Sequence, residues 1–130
     1  MINKSFLYAV IWASSNPEKY GYKVLKDLLE AGYKVIPINP TEKEILRKKV
    51  YPTLSASKQE VDVAIFVTQP TITEKVLEEV KTLGVKKVWL QPGAQSDTAI
   101  AFCKKNMIEC IHDACIMIQK NTEENIFNRK

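Results

Sequence analysis

The sequence predicts a three-layer α/β fold built on a five-stranded parallel sheet. Three observations predict it: five short apolar runs of strand character, segments of helical period between them, and turn-forming residues at the junctions. Strands separated by one helix each run parallel through right-handed crossovers, so helices cover both faces of the sheet. A single domain is expected over residues 1–130, with no internal repeat and no linker.

The elements follow in order. Phe6–Ala13 is a continuous apolar run, as a strand covered on both faces requires. It superficially resembles a signal peptide behind Lys4, but it is short and rich in β-branched and aromatic residues, which favours a buried strand. Tyr20, Val24, Leu25, Leu28 and Leu29 recur at helical spacing, and Gly32 supplies a stop. Tyr33–Ile38 reads as a second strand, broken by Pro37 and ended by Asn39-Pro40. Val50-Tyr51 is a short extended piece. Val61–Val67 is the third strand, and Thr71-Ile72-Thr73-Glu74 has the form of a capping box opening a helix that buries Ile72, Val76, Val80 and Leu83. Gly84 closes that helix. Lys87–Gln91 is the fourth strand, Ser96-Asp97 opens the next helix, and Ile108–His112 is the fifth strand. The chain from about Cys115 onward reads as a helix followed by a polar, frayed tail.

Composition sets the outer bounds. With 130 residues, 45% hydrophobic and 26% charged, the chain is of ordinary globular make-up and buries roughly 65–70% of its extended surface on folding. No stretch approaches the ~20 apolar residues of a membrane helix. The net charge of +4 is too small to mark a dedicated nucleic-acid binder. Its excess leans toward the first half and gathers in Arg47-Lys48-Lys49, behind Lys43, which reads either as a solvated loop or as an anion-binding rim. An odd count of three cysteines at irregular spacing fits a reducing cytoplasm better than a disulfide framework.

In parallel α/β sheets, ligands sit outside the carboxyl ends of the strands. Here those ends are Ala13-Ser14-Ser15, Asn39-Pro40, Thr68-Gln69-Pro70, Gln91-Pro92-Gly93 and Asp113, all polar, small or turn-forming. Any one of them is ordinary turn chemistry, but together they rim one crevice. Between the first strand and first helix, a phosphate can rest on helix N-terminal amides, with the Ser14 and Ser15 hydroxyls and the Lys19 ammonium adding contacts. The loop lacks G-x-G-x-x-G, the acidic residue expected after the second strand is replaced by Asn39, and no Walker loop occurs. A nucleotide-like ligand with phosphate near Ser14 and further negative charge near Lys43–Lys49 remains.

Several blocks in order carry a resemblance: Ala13-Ser14 with Asn16–Gly21, Gly32–Pro40, Val50–Leu54, Val61-Asp62-Val63, Pro70, Val88–Gly93 and Cys115. Over about residues 5–119 the chain resembles the small single-domain CoA-binding proteins, whose Rossmann-like fold is similar to the CoA-binding N-terminal domain of the succinyl-CoA synthetase α subunit. That resemblance implies coenzyme A, or an acyl-CoA, held along the strand ends. Ala13, Ser14 and Lys19 would meet its phosphates, with Tyr20 in the same block. Asn39 and Pro40 would border the adenosine, Thr68 and Pro70 would flank the ligand, and Gln91, Pro92 and Gly93 would face the diphosphate or pantetheine. The ribose 3′-phosphate gives the basic run at Arg47 a partner. Two positions depart from the family pattern, Trp12 and Arg47, where the family has glycine. An indole at position 12 blocks the usual pose, stacks on an adenine, or points into the sheet, and a φ > 0 turn at Arg47 is strained or rebuilt.

Cys110, His112 and Cys115 form C-x-H-x-x-C, but a metal site needs a fourth ligand and no nearby His or Cys remains except Cys103 across a turn, so no metal is expected and the residues read as structural. Cys115, near a helix start, is a candidate redox thiol for exchange with the CoA thiol. No catalytic apparatus is evident: the only histidine is His112, and G-x-S-x-G is absent. The synthetase's phosphorylated histidine belongs to a second domain, so acyl-CoA ligation by this chain alone is not expected. The expectation is therefore a cytoplasmic module that binds a small-molecule nucleotide ligand, not nucleic acid or a membrane, with a homodimer as an open assembly. The alternatives are a small nucleotide-dependent transferase or oxidoreductase using the same crevice, and a protein-interaction module without ligand.

Overall fold

The structure, a computed structural model, describes residues 2–128, with side chains described through Thr122. In chain order the elements are β1 (Leu7–Ile11), α1 (Tyr20–Glu30), β2 (Lys34–Ile38), β3 (Glu44–Ile45), β4 (Lys48–Lys49), α2 (Leu54–Ser57), β5 (Val63–Phe66), α3 (Pro70–Leu83), β6 (Lys87–Leu90), α4 (Asp97–Lys105), β7 (Glu109–Ile111) and α5 (Ile116–Asn128). The polar tail expected beyond α5 falls outside the described residues.

Five strands form one parallel sheet in the order β2-β1-β5-β6-β7. The chain moves outward from β1 to β2, then returns to the other side of β1 and continues through β5, β6 and β7. The order of construction thus reverses between β1 and β5, which opens a crevice at their carboxyl ends.

Alternate residues of each strand face opposite layers. Ala9, Ile11, Ala64, Phe66, Val88 and Leu90 pack with Leu77 and Val80 of α3 and Ala99 and Cys103 of α4. Tyr8, Val10, Val63, Ile65 and Trp89 pack with Val24, Leu25 and Leu28 of α1 and Ile116 of α5. Two apolar layers around one sheet give the three-layer Rossmann-like arrangement. Among the described residues no helix is long and apolar enough to cross a membrane.

Several boundaries differ from the sequence reading, each for a local reason. β1 stops at Ile11 because Trp12 turns to φ 72°, and the amides of Trp12 and Ala13 both donate to the Ile38 carbonyl, at 2.9 and 3.1 Å. Pro37 does not break β2. It lies within the strand opposite Val10, and β2 is an edge strand of the sheet. The Pro37 carbonyl and the Asn39 amide both bond outward to Tyr51, so the position lacking an N–H faces the edge and costs no sheet hydrogen bond.

The capping box at Thr71–Glu74 is not formed. Gln69 is the N-cap of α3 and Pro70 occupies its first turn, where the missing N–H is harmless. Thr73 is instead buried, its hydroxyl against that of Thr68, while Glu74 accepts from the Ser96 hydroxyl at 2.7 Å and so ties α3 to the N-cap of α4. The buried face of α3 is Thr73, Leu77 and Val80, and Leu83 is exposed.

The basic run is not a plain loop. β3 and β4 pair as an antiparallel hairpin whose two turn residues, Leu46 and Arg47, both have positive φ, 49° and 65°. Tight two-residue hairpins demand this backbone, usually supplied by Asn-Gly. Ile45 and Val50 anchor the hairpin in the α1 layer, and Lys49 lies over the Tyr51 ring at 5.2 Å.

Candidate functional site

A cleft of about 860 Å³ occupies the crevice between the carboxyl ends of β1, β2 and β5, lined among others by Trp12, Ser14, Lys19, Asn39, Pro40 and Glu42. A second lobe of about 420 Å³ adjoins it, lined by Gln91, Pro92, Gly93, Cys115 and Ile118. Tyr20, Val67, Thr68 and Gln69 wall both lobes, which makes them one groove across the strand ends. A separate groove of about 570 Å³, between Phe6, Lys58, Asp62 and Lys87, lies at the amino ends of the strands, away from the point where the sheet reverses. Topology therefore selects the first groove as the site.

The β1–α1 loop is folded tightly across the start of α1. A Cβ added to Gly21 would lie 2.4 Å from the Trp12 carbonyl oxygen and 3.1 Å from the Ser14 nitrogen, so only glycine admits this approach. The first-turn amides of Tyr20 and Gly21, which a helix cannot satisfy internally, lie at the cleft wall. The Ser14 hydroxyl accepts from the Asn16 amide at 3.0 Å and keeps its own proton to donate. Lys19 is the N-cap residue of α1 and lines the same wall.

Asn39 is mostly a structural tie. Its side-chain amide donates to the Ala13 carbonyl at 2.8 Å, and its oxygen accepts from the Thr41 amide and hydroxyl and the Glu42 amide. This clamp swings the β2 end against the β1–α1 loop and delivers Glu42, whose carboxylate accepts from the Ser15 amide at 3.0 Å. An acidic residue does reach the cleft after the second strand, four positions beyond Ile38.

At the second lobe, Gln91 is buried and its oxygen accepts from the Ile116 amide at 2.7 Å, completing the start of α5. Its nitrogen donates to the Cys115 sulfur at 3.3 Å. The Trp89 indole donates to the Ala114 carbonyl at 2.8 Å, and an ion pair of 3.3 Å between Asp27 and the buried Lys120 holds α5 against α1. The lobe thus has a fixed wall.

Of the residues singled out from sequence, Ser14, Lys19, Tyr20, Asn39, Pro40, Thr68, Gln91, Pro92, Gly93 and Cys115 line the groove. Ala13 is fully buried beneath it, and the Ser15 amide is taken by Glu42. Pro70 and Arg47 are not among its walls: Pro70 begins α3, and Arg47 stands at the exposed hairpin tip. Gln69, of the Thr68-Gln69-Pro70 strand end, lines it as well, and so do Glu42, Ile72 and Ile118, which the sequence did not mark as site residues. Trp12 contributes a wall rather than pointing into the sheet, and its φ of 72° explains why glycine suits that position.

Polarity changes along the groove. Ser14, Lys19, Thr41 and Glu42 stand beside Trp12, Pro40 and Ile72 in the first lobe, while Pro92, Gly93 and Ile118 belong to the second alone and no charged side chain lines it. Trp12, Tyr20 and Ile118, at 37%, 63% and 68% exposure, are large apolar side chains left in water on these walls, a pattern that marks contact surfaces. The C-x-H-x-x-C residues do not converge, since Cys115 meets Gln91 while His112 bonds Asp113. Among the described residues no group of three His, Cys, Asp or Glu side chains has metal-holding geometry.

A family model described as a CoA binding domain matches residues 7–121. The α subunit of the ADP-forming acetate–CoA ligase II of Pyrococcus furiosus is 42% identical over 81 residues, which cover 62% of this chain and 18% of the ligase subunit. The uncharacterized protein YneT of Bacillus subtilis is 27% identical over 118 residues, covering 91% of this chain and 87% of YneT. Among solved structures, a conserved hypothetical protein from Pyrococcus furiosus superposes with a TM-score of 0.85 at 39% identity, over 88% of this chain and 98% of that one. The chain spans less than a fifth of the length of the acetate–CoA ligase chains it matches, from 10% to 19%.

Proposed function

This chain belongs to the CoA binding domain family, and from that premise we propose that it holds coenzyme A or an acyl-CoA in the strand-end groove as a binding or regulatory module. The observation that carries the reading is the continuity, through Tyr20, Val67, Thr68 and Gln69, of a lobe that holds charged and hydroxyl side chains with a more apolar lobe that holds no charged one. Coenzyme A has the same division, a phosphorylated nucleotide joined to a thiol-bearing arm.

In this pose the diphosphate meets the Tyr20 and Gly21 amides, the Ser14 hydroxyl and the Lys19 ammonium, a helix start being a favourable place for an anion. The Trp12 indole offers the adenine a stacking face. The arm crosses Thr68 and enters the second lobe, where Pro92, Gly93 and Ile118 receive it and its sulfur end approaches Cys115. Arg47, Lys48 and Lys49 stand off the walls, so their part is long-range attraction of a polyanion rather than contact.

Titration calorimetry of the full chain with coenzyme A, NAD and ADP tests this. Coenzyme A is expected to bind one per chain and to outcompete the other two. Lys19→Ala is expected to weaken it about tenfold, the loss of roughly 1.4 kcal/mol. Preference for NAD would favour an oxidoreductase in the same groove, and absence of binding to all three would favour a protein-interaction module.

A further inference from the structure

Away from the groove, two of the three cysteines meet beneath the sheet's far edge. Cys103 of α4 is fully buried in the core layer, and Cys110 of the edge strand β7 is half-buried against it. A short turn joins the two elements, closed by the Ile108 amide on the Cys103 carbonyl at 2.9 Å. Cys110 pairs with Val88 across the sheet and packs against the layer that holds both Val88 and Cys103, so the two sulfurs share one side of the sheet, and neither cysteine lines the groove.

The pair is chemically unequal. Cys103 keeps its proton, because donating to Cys110 and being buried both push its thiol far up. That donated hydrogen bond, aided by the charge of His112, pulls the Cys110 thiol below the usual value, with burial opposing. His112 follows the last residue of β7, and its ring nitrogen bonds the Asp113 carboxylate. A partly accessible sulfur disposed toward thiolate, with a protonated thiol in contact, is the arrangement of an attacking and a resolving cysteine.

We propose that Cys110 and Cys103 form a hydroperoxide-sensitive thiol pair. The Cys110 thiolate attacks one oxygen of the peroxide: the S–O bond forms, the O–O bond breaks, and the departing alkoxide or hydroxide takes a proton from solvent. Sulfur loses two electrons and the peroxide gains two, leaving a sulfenic acid. The Cys103 sulfur then attacks Cys110, the S–S bond forms, and the hydroxide leaves as water with the Cys103 proton. A dithiol reductant returns both thiols. The cross-link ties the end of α4 to β7, immediately before the segment that carries Ala114 and Cys115 to the groove.

The test is peptide mapping of the full chain under non-reducing conditions after mild hydrogen peroxide. The expected result is loss of two of the three free thiols and one disulfide, between Cys103 and Cys110, unchanged in Cys115→Ser. Cys103→Ala, which keeps the apolar core, is expected to accumulate a sulfenic acid at Cys110 that dimedone traps. Cys110→Ser is expected to leave Cys103 reduced. Oxidation confined to Cys115, or oxidation of Cys103 at an unchanged rate in Cys110→Ser, would overturn the proposal.

Discussion

The Ser15 amide donates to the Glu42 carboxylate at 3.0 Å, so an anion of the protein's own already occupies a donor of the β1–α1 loop. Glu42 is delivered there by its backbone, which donates to Asn39. A ligand phosphate entering beside Ser14 meets this carboxylate as a competitor. Glu42→Gln is expected to tighten coenzyme A binding about fivefold, in line with ~1 kcal/mol for one exchanged hydrogen bond. Calorimetry reads the difference, and weaker binding by the variant would mean that Glu42 contacts the ligand favourably.

Gly21→Ala sets two effects against each other. Alanine favours a helix by up to about 1 kcal/mol over glycine. The new Cβ, however, lies 2.4 Å from the Trp12 carbonyl, a backbone atom fixed by the bonds of Trp12 and Ala13 to Ile38. Overpacking of about 1–3 kcal/mol wins, and chemical denaturation is expected to show a less stable protein.

The chain has two tryptophans in different surroundings. Trp89 is buried and bonded to Ala114, whereas Trp12 lines the groove. Coenzyme A is expected to change the intrinsic fluorescence through Trp12, and the change is expected to vanish in Trp12→Phe. A response that persists in the variant would place the ligand's effect elsewhere.

The ion pair of α1 and α5 is lopsided, since the Lys120 side chain is 4% exposed and that of Asp27 31%. Asp27→Ala leaves the buried ammonium with the neutral Asn121 oxygen, at 2.7 Å, in place of its ion pair and is expected to cost about 3 kcal/mol of stability. Lys120→Met leaves a carboxylate that water can reach and is expected to cost less. Denaturant midpoints of the two variants test the order.

The parallel sheet and its five strands were legible because five apolar runs and the helical spacings between them are local signals, whereas the spatial order of the strands depends on which long-range pairs form. The start of α3 was misread because Thr71 and Glu74 fit a capping pattern, while the stronger constraint was Pro70, whose ring suits the first turn. The hairpin at Leu46-Arg47 carried no local signal, since neither residue is a usual left-handed turn former; only the resemblance implied the positive φ at Arg47, which is 65°. The place of the groove was legible from the strand ends alone. Glu42 was missed because the acidic position was sought directly after β2, whereas the Asn39 clamp brings in a residue further on. Ile118 was missed because the approach of α5 to the groove depends on the buried Gln91 and on the ion pair of Lys120, contacts that no local pattern encodes.

The most direct measurement of the central claim is a crystal structure of the protein with coenzyme A. The account predicts the diphosphate at Ser14 and Lys19, with the pantetheine arm crossing Thr68 toward Gly93 and Cys115. Coenzyme A bound instead at the amino ends of the strands, between Lys58 and Lys87, would contradict it.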